Sequence, residues 1–286
     1  MASEIKVNTI KDIGGNTIIS SNGSGTFTSN LPSTTLTGST NNQVTTVTGA
    51  NAIVGESGLI FDGSKLGIGT STMTRTLNVT DTASGASTGI QLIGANNGTQ
   101  FINFGDTDDT NVGEINYDHS TNKMNFRTND AYAMVIDTAG IVTKPLQSGF
   151  SATKSTSAQS VNAAYVSVNF NNEIWDNNAD WNGSTTFTAP VTGKYMFTGA
   201  MRINSILAQG GSVFGRINTS NRPYVFGNIT DADDVFNATV AAYQFQGAVV
   251  ADMDANDTAT LDFFSNFATT IAADAERVWF QGYLLG

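Results

Sequence analysis

Several stretches of the chain place residues of chemically useful type at suggestive spacing. Asp252-Met253-Asp254-Ala255-Asn256-Asp257 opens like a calcium loop. Its sixth position is Asp257 where such a loop needs a turn-making Gly, and its twelfth is Phe263 where it needs a bidentate Glu. The stretch therefore reads as a solvated turn or an irregular cation site, not an EF-hand. Asp106 and Asp108 form a carboxylate pair of the kind that cleaves glycosidic bonds. No aromatic sugar platform stands beside them, and such clusters are ordinarily solvated. Gly67-Ile68-Gly69 lacks the third Gly and the following helix of a dinucleotide fingerprint, so it reads as turn glycine. His119 lies in a turn, 118–123, with no nucleophile beside it, and reads as a surface histidine. With no Cys and one His, the chain has no thiolate or imidazole set for a metal and no disulfide. No catalytic constellation emerges, and the expectation is a protein that is not an enzyme and needs no cofactor.

The elements that carry these residues follow from composition. Of 286 residues only 13% are charged, helix formers are scarce, and Thr, Val, Ile and Phe stand between Gly and Asn punctuation. That pattern favours short strands joined by tight turns and predicts an all-β architecture. A formal charge of −11 repels phosphates and excludes a groove that tracks nucleic acid. The first residues lack the apolar core and basic start of a secretory signal, and no window approaches the roughly 18 apolar residues of a membrane span. Synthesis in a cytoplasm without membrane insertion is expected.

Three segments are predicted. Residues 1–50 are polar, with isolated apolar points such as Ile5, Val7, Ile10 and Ile13, too few to offset the ordering entropy alone. Residues 51–144 show short apolar runs between turn signals, including an Asp62-Gly63 hairpin signal, and runs at 77–79, 90–92, 101–104, 115–117, 124–126 and 134–136. Alternation at Ile115 and Tyr117 and at Met124 and Phe126 gives each strand one apolar face, which a single thin ribbon cannot close. Lys144-Pro145 interrupts the pattern, and residues 145–286 carry enough candidate strands for a two-sheet sandwich.

The run TFTAPVTGKYMF, residues 186–197, and the final VWFQGYLLG resemble the C1q/TNF-like jelly roll. Phe187, Ala189, Pro190, Gly193, Tyr195 and Phe197 match its central signature, Gly149-Phe150-Ser151-Ala152 its opening strand, and Phe280, Gly282, Leu284 and Leu285 its end. Asn256 replaces a usual Gly, which Asn tolerates because it visits left-handed backbone. The stretch 3–19, SEIKVNTIKDIGGNTII, and the repeat in 113–143 are similar to N-terminal and shaft segments of phage tail fibres. Together these resemblances imply an extended trimeric β-structured shaft followed by a C1q/TNF-like jelly-roll head.

The implied protein is a homotrimeric phage tail fibre or spike. Ile5, Val7, Ile10 and Ile13 would dock on a virion tail or baseplate protein, and the head would bind a host-surface glycan or protein. Phe187, Tyr195, Phe197, Trp279, Phe280 and Leu284 are expected at the trimer interface or core. Apolar residues on both faces of the strands around Tyr195 and Trp279 suggest a second buried face. The family topology puts loops 205–211, 230–235 and 266–274 at the distal end, naming Gln209, Asp231, Asp233, Asp234, Phe267, Thr269 and Thr270 as receptor contacts. Three copies of Asp231, Asp233 and Asp234 near one axis would repel one another unless a hard cation such as calcium sat between them. The rival readings are a capsid-mounted fibre or tail component serving assembly, a glycan-depolymerising tailspike working through Asp106 and Asp108, and a cellular C1q-like adhesin.

Overall fold

The structure is a computed structural model that describes residues 8–21, 27–29, 35–37, 42–49, 52–207 and 211–285. Strands dominate it, with one four-residue helical turn, Ala232–Val235, among the described residues. The chain divides into two compact units, Met1–Leu92 and Ile93–Gly286. Among the described residues no helix is long and apolar enough to cross a membrane.

The first unit holds a three-stranded sheet, Thr9–Lys11, Thr17–Ser21 and Phe27–Ser29, and a second sheet built on the long strand Ala52–Phe61. The Asp62-Gly63 signal is realised as a hairpin: Phe61 faces Leu66, and Gly63 takes φ +98°. The Asp62 carboxylate accepts the backbone N–H of Ser64 at 2.9 Å and of Lys65 at 2.8 Å. Residues 90–92 are a correction to the predicted strands. They lie outside any ladder, and Ile90 is 70% exposed, since an apolar triplet without a pairing edge gains nothing by extending into a strand.

The second unit begins with a five-stranded antiparallel sheet in the order Val142–Thr143, Ala131–Ile136, Lys123–Thr128, Gly113–Asp118, Thr99–Phe104. Its register sets Ile102, Ile115, Phe126 and Met134 in one row and Tyr117, Met124, Ile136 and Val142 in the next. This is the apolar face that period-two alternation predicted. None of these side chains is fully buried, and Ile102 and Val142 are more than half exposed. On the other face Asn116 and Asn125 are buried and hydrogen-bond each other at 2.7 Å.

Beyond residue 148 the chain forms a jelly-roll-like sandwich. One sheet has seven strands, Gln159–Val161, Thr269–Ile271, Gly193–Ile206, Trp279–Leu284, Gly149–Thr153 and Asn172–Asp176, with Val240–Met253 on the free side of Gly193–Ile206. The second has Ala164–Ser167, Thr258–Ser265, Val213–Thr219 and Pro223–Ile229, with Thr186–Thr188 also on Thr258–Ser265. Between them lies an aromatic core. Phe150 stacks on Trp181 at 4.7 Å and on Phe187 at 5.1 Å, and meets Phe280 edge-on at 5.1 Å. Asn256 sits at φ +74°, the left-handed turn position that its replacement of Gly required.

Candidate functional site

The two faces of the seven-stranded sheet separate the expected interface residues. Tyr195 pairs with Leu284, Phe197 with Gly282 and Gly199 with Phe280, and directly opposed residues share a face. Phe187, Tyr195, Phe197 and Phe280 are fully buried, and Leu284 packs against them. The four aromatics therefore lie in the core of a single chain, the second of the two expected alternatives, with Leu284 half-buried against them. Trp279 faces the other way, opposite Ala200 and Thr153.

On that outer face a row runs from Val250 through Met196 and Tyr283 to Gly149, and the next rows bring Trp175 and Trp279 alongside. Val250 is 52%, Tyr283 41% and Trp175 40% exposed, and the Tyr283 hydroxyl lies 3.4 Å from the Met196 sulfur. Sequence reading detected the doubled apolar pattern at Met196 and Trp279. Val250, Tyr283 and Trp175 align on this face only once five strands are in register.

The loops expected at the distal end touch one another. Ala232 N donates to Gly211 O at 2.9 Å, Ser212 Oγ to Thr230 O at 2.6 Å, and Ser212 N to Asn266 Oδ1 at 2.9 Å. Asp231, Asp233 and Asp234 each offer an oxygen within 4.8 Å of the others. A hydrogen bond that protonated Asp233 donates to the Asp231 side chain, then desolvation and the Asp231 charge, holds the Asp233 carboxyl above its ordinary value. These three carboxylates are the residues that could hold a hard cation.

Two of the expected contact residues are misplaced for that role. Phe267 is 6% exposed and lies in the core. Thr269 is equally buried, with its hydroxyl donating to the Asn204 carbonyl. Thr269 and Thr270 belong to a strand paired with Gln159–Val161, and only Thr270 keeps part of its side chain exposed. Sequence alone read a polar Thr pair as a loop, whereas the ladder consumed its backbone. Gln209 lies outside the described residues, as do Ile5 and Val7. Ile10 and Ile13 are exposed, Ile10 in the strand Thr9–Lys11 and Ile13 in the turn that follows.

The remaining chemical candidates resolve into turns. Asp106 accepts the backbone N–H of Asp109 and Asp108, which holds its carboxyl below the ordinary carboxylate range and makes it a poor proton donor. Asp257 accepts from Asp254 N at 2.8 Å and Asn221 Nδ2 at 2.9 Å, closing the loop that had resembled a calcium site. His119 rests edge-on against Tyr117 at 4.8 Å. On the outer face of the second sheet, Arg216 Nε and Nη2 reach Asp262 Oδ2 at 3.1 and 3.0 Å, and Ser167 and Thr260 donate to Oδ1, each at 2.8 Å. The guanidinium lies 3.8 Å from the Tyr165 ring centroid. All these oxygens are satisfied, so the network is structural.

No protein-family model matches the chain, and no curated protein matches it. Solved structures do. The globular domain of zebrafish complement 1qA protein is 18% identical, with a TM-score of 0.35, covering 49% of this chain and 98% of that one. Murine APRIL at pH 8.5 is 10% identical, TM-score 0.36, covering 49% and 99%. An Eiger TNF from S. frugiperda is 9% identical, TM-score 0.35, covering 49% and 93%. The likeness concerns half of the chain at low identity and says nothing of ligand or partner.

Proposed function

We propose that the chain is a non-catalytic, homotrimeric fibre or spike of a virion that docks through its N-terminal segment and recognises a host surface through its head. The observation that carries the self-association is the five-stranded sheet of residues 99–143. Its apolar rows at Ile102, Ile115, Phe126 and Met134 have no covering layer that buries them fully. Burying a large apolar side chain is worth about 1.5–3 kcal/mol, and closed threefold symmetry lets each copy cover the next without open-ended polymerisation. The outer face carrying the row of Val250, Met196 and Tyr283, with Trp175 and Trp279 in the rows beside it, offers the head a second such surface.

The virion setting rests on the similarity of residues 3–19 and 113–143 to phage fibre segments. Recognition at the tip rests on the convergence of the loops holding Gly211, Thr230, Asp231 and Asn266. Calcium at Asp231, Asp233 and Asp234 would relieve carboxylate crowding there. The test is light scattering of the purified full chain, with adsorption of particles to host cells in its presence. A mass of three times 30.0 kDa, competition with adsorption, and a fall in melting temperature on adding chelator are expected. A well-folded monomer overturns the trimer, and undiminished adsorption overturns host recognition.

A further inference from the structure

Lys154 is only 4% exposed, yet no carboxylate pairs with it among the described residues. Its Nζ donates to the Asn169 carbonyl at 2.8 Å, one partner for a group with three donors. Burial pushes the ammonium's pKa down with no nearby charge to restore it. A buried cation of this kind is costly unless something negative accompanies it.

The side chain lines a pocket of about 460 Å³ together with Thr156, Ser157, Gln159, Asn169 and Asn171. That volume falls in the usual range for small-ligand sites, about 300–1,000 Å³. Every other lining group is neutral, and several are fixed in place. Asn171 Oδ1 accepts Ser155 N at 3.0 Å, and its amide reaches Thr156 Oγ1. Gln159 donates to Ser167 O at 2.9 Å and accepts from Asn169 N at 2.8 Å. Ser157 holds φ +59°, a left-handed conformation that is uncommon for Ser and is found at ligand-binding turns.

We propose that this pocket binds a sugar bearing a single carboxylate, with Lys154 Nζ taking the carboxylate and the Ser, Thr and Asn groups meeting the ring hydroxyls. One ammonium among hydroxyls and amides suits a monoanion rich in hydroxyl groups. A phosphate dianion would set two negative charges against one cation in a chain of net charge −11. An apolar ligand would leave the Lys154 ammonium without a counter-charge. Hexuronic and nonulosonic acids share the required chemistry. As a receptor site the pocket rests on the host-recognition reading; as a binding site it stands apart from both the tip loops and the virion.

The experiment titrates the full chain with glucuronic acid, N-acetylneuraminic acid and glucose, followed by calorimetry and by amide shifts of the 154–171 region. At least one acid should bind with a Kd in the low millimolar range or tighter and at least tenfold better than glucose. Which acid binds identifies the source. Lys154→Met should remove that preference while the melting curve stays cooperative. Ala158→Trp, which changes an exposed residue of the pocket lining, should block all three sugars and serves if Lys154→Met does not fold. Equal binding of glucose and the acids, affinity unchanged in Ala158→Trp, or inorganic phosphate binding where neither acid does, each overturns the proposal. Sugar binding lost in Lys154→Met with adsorption competition intact leaves host recognition standing and removes the pocket from it.

Discussion

At Gly282 the sheet leaves no room for a side chain. A Cβ there would fall 2.4 Å from Phe197 Cδ1 and 3.1 Å from Phe150 Cε1, and both rings are fully buried. Close packing gives such rings nowhere to move. Gly282→Ala is expected to destabilise the head by about 1–3 kcal/mol, read from the urea midpoint; an unchanged midpoint would mean that the Phe197 and Phe150 rings move aside freely. Asp262 presents the electrostatic counterpart. Removing it leaves the Arg216 guanidinium, whose side chain is 20% exposed, without its charge partner. Asp262→Ala should therefore cost about 3–5 kcal/mol, and adding Arg216→Met should recover part of that loss. A double variant no better than the single one would show that the pairing is not the cause.

Among the elements, the hairpin of Gly113–Asp118 and Lys123–Thr128 is held at its turn by one carboxylate. Asp118 accepts from Ser120 Oγ, Thr121 Oγ1 and Ser120 N, which lowers its pKa from 3.8 to about 2. A carboxyl depressed in the folded state adds stability that is complete above 3.8 and is lost as pH falls through about 2. Asp118→Ala should lower the melting temperature at pH 7 and leave it unaltered below pH 2, provided the chain is still folded there. An NMR midpoint of the Asp118 carboxyl near 4 would contradict this. The hairpin was readable because Ile115, Tyr117, Met124 and Phe126 alternate cleanly. The strands Gln159–Val161, Asn172–Asp176 and Thr269–Ile271 were not readable. Each is short and lacks a clean apolar alternation, and its extended form is imposed by the neighbour it pairs with.

For the whole molecule, the exposed outer row of the head is the feature a single chain does not explain. Val250→Glu with Tyr283→Glu places charges on residues already 52% and 41% exposed, so the individual fold should survive. Three copies brought together would then bury like charges against one another. The double variant should sediment at lower mass than the parent while keeping its far-ultraviolet spectrum. A parent-like mass would place the association elsewhere, and the uncovered sheet of residues 99–143 would be the next surface to alter.

The sequence by itself determined the β class, the Asp62-Gly63 turn and the alternating strands around Ile115, Tyr117, Met124 and Phe126, which follow from composition, local periodicity and turn chemistry. Phe187, Tyr195 and Phe197 are marked by their resemblance to the C1q/TNF-like signature, which leaves interface and core both open. Only the tertiary structure decided which side of the sheet each aromatic occupies, because one residue of register exchanges the two faces. It also decided that Phe267 and Thr269 are buried and that Lys154 stands unpaired in a pocket. Those outcomes depend on contacts such as Lys154 with Asn169 and Thr269 with Asn204, which join segments whose separation along the chain leaves no local signal.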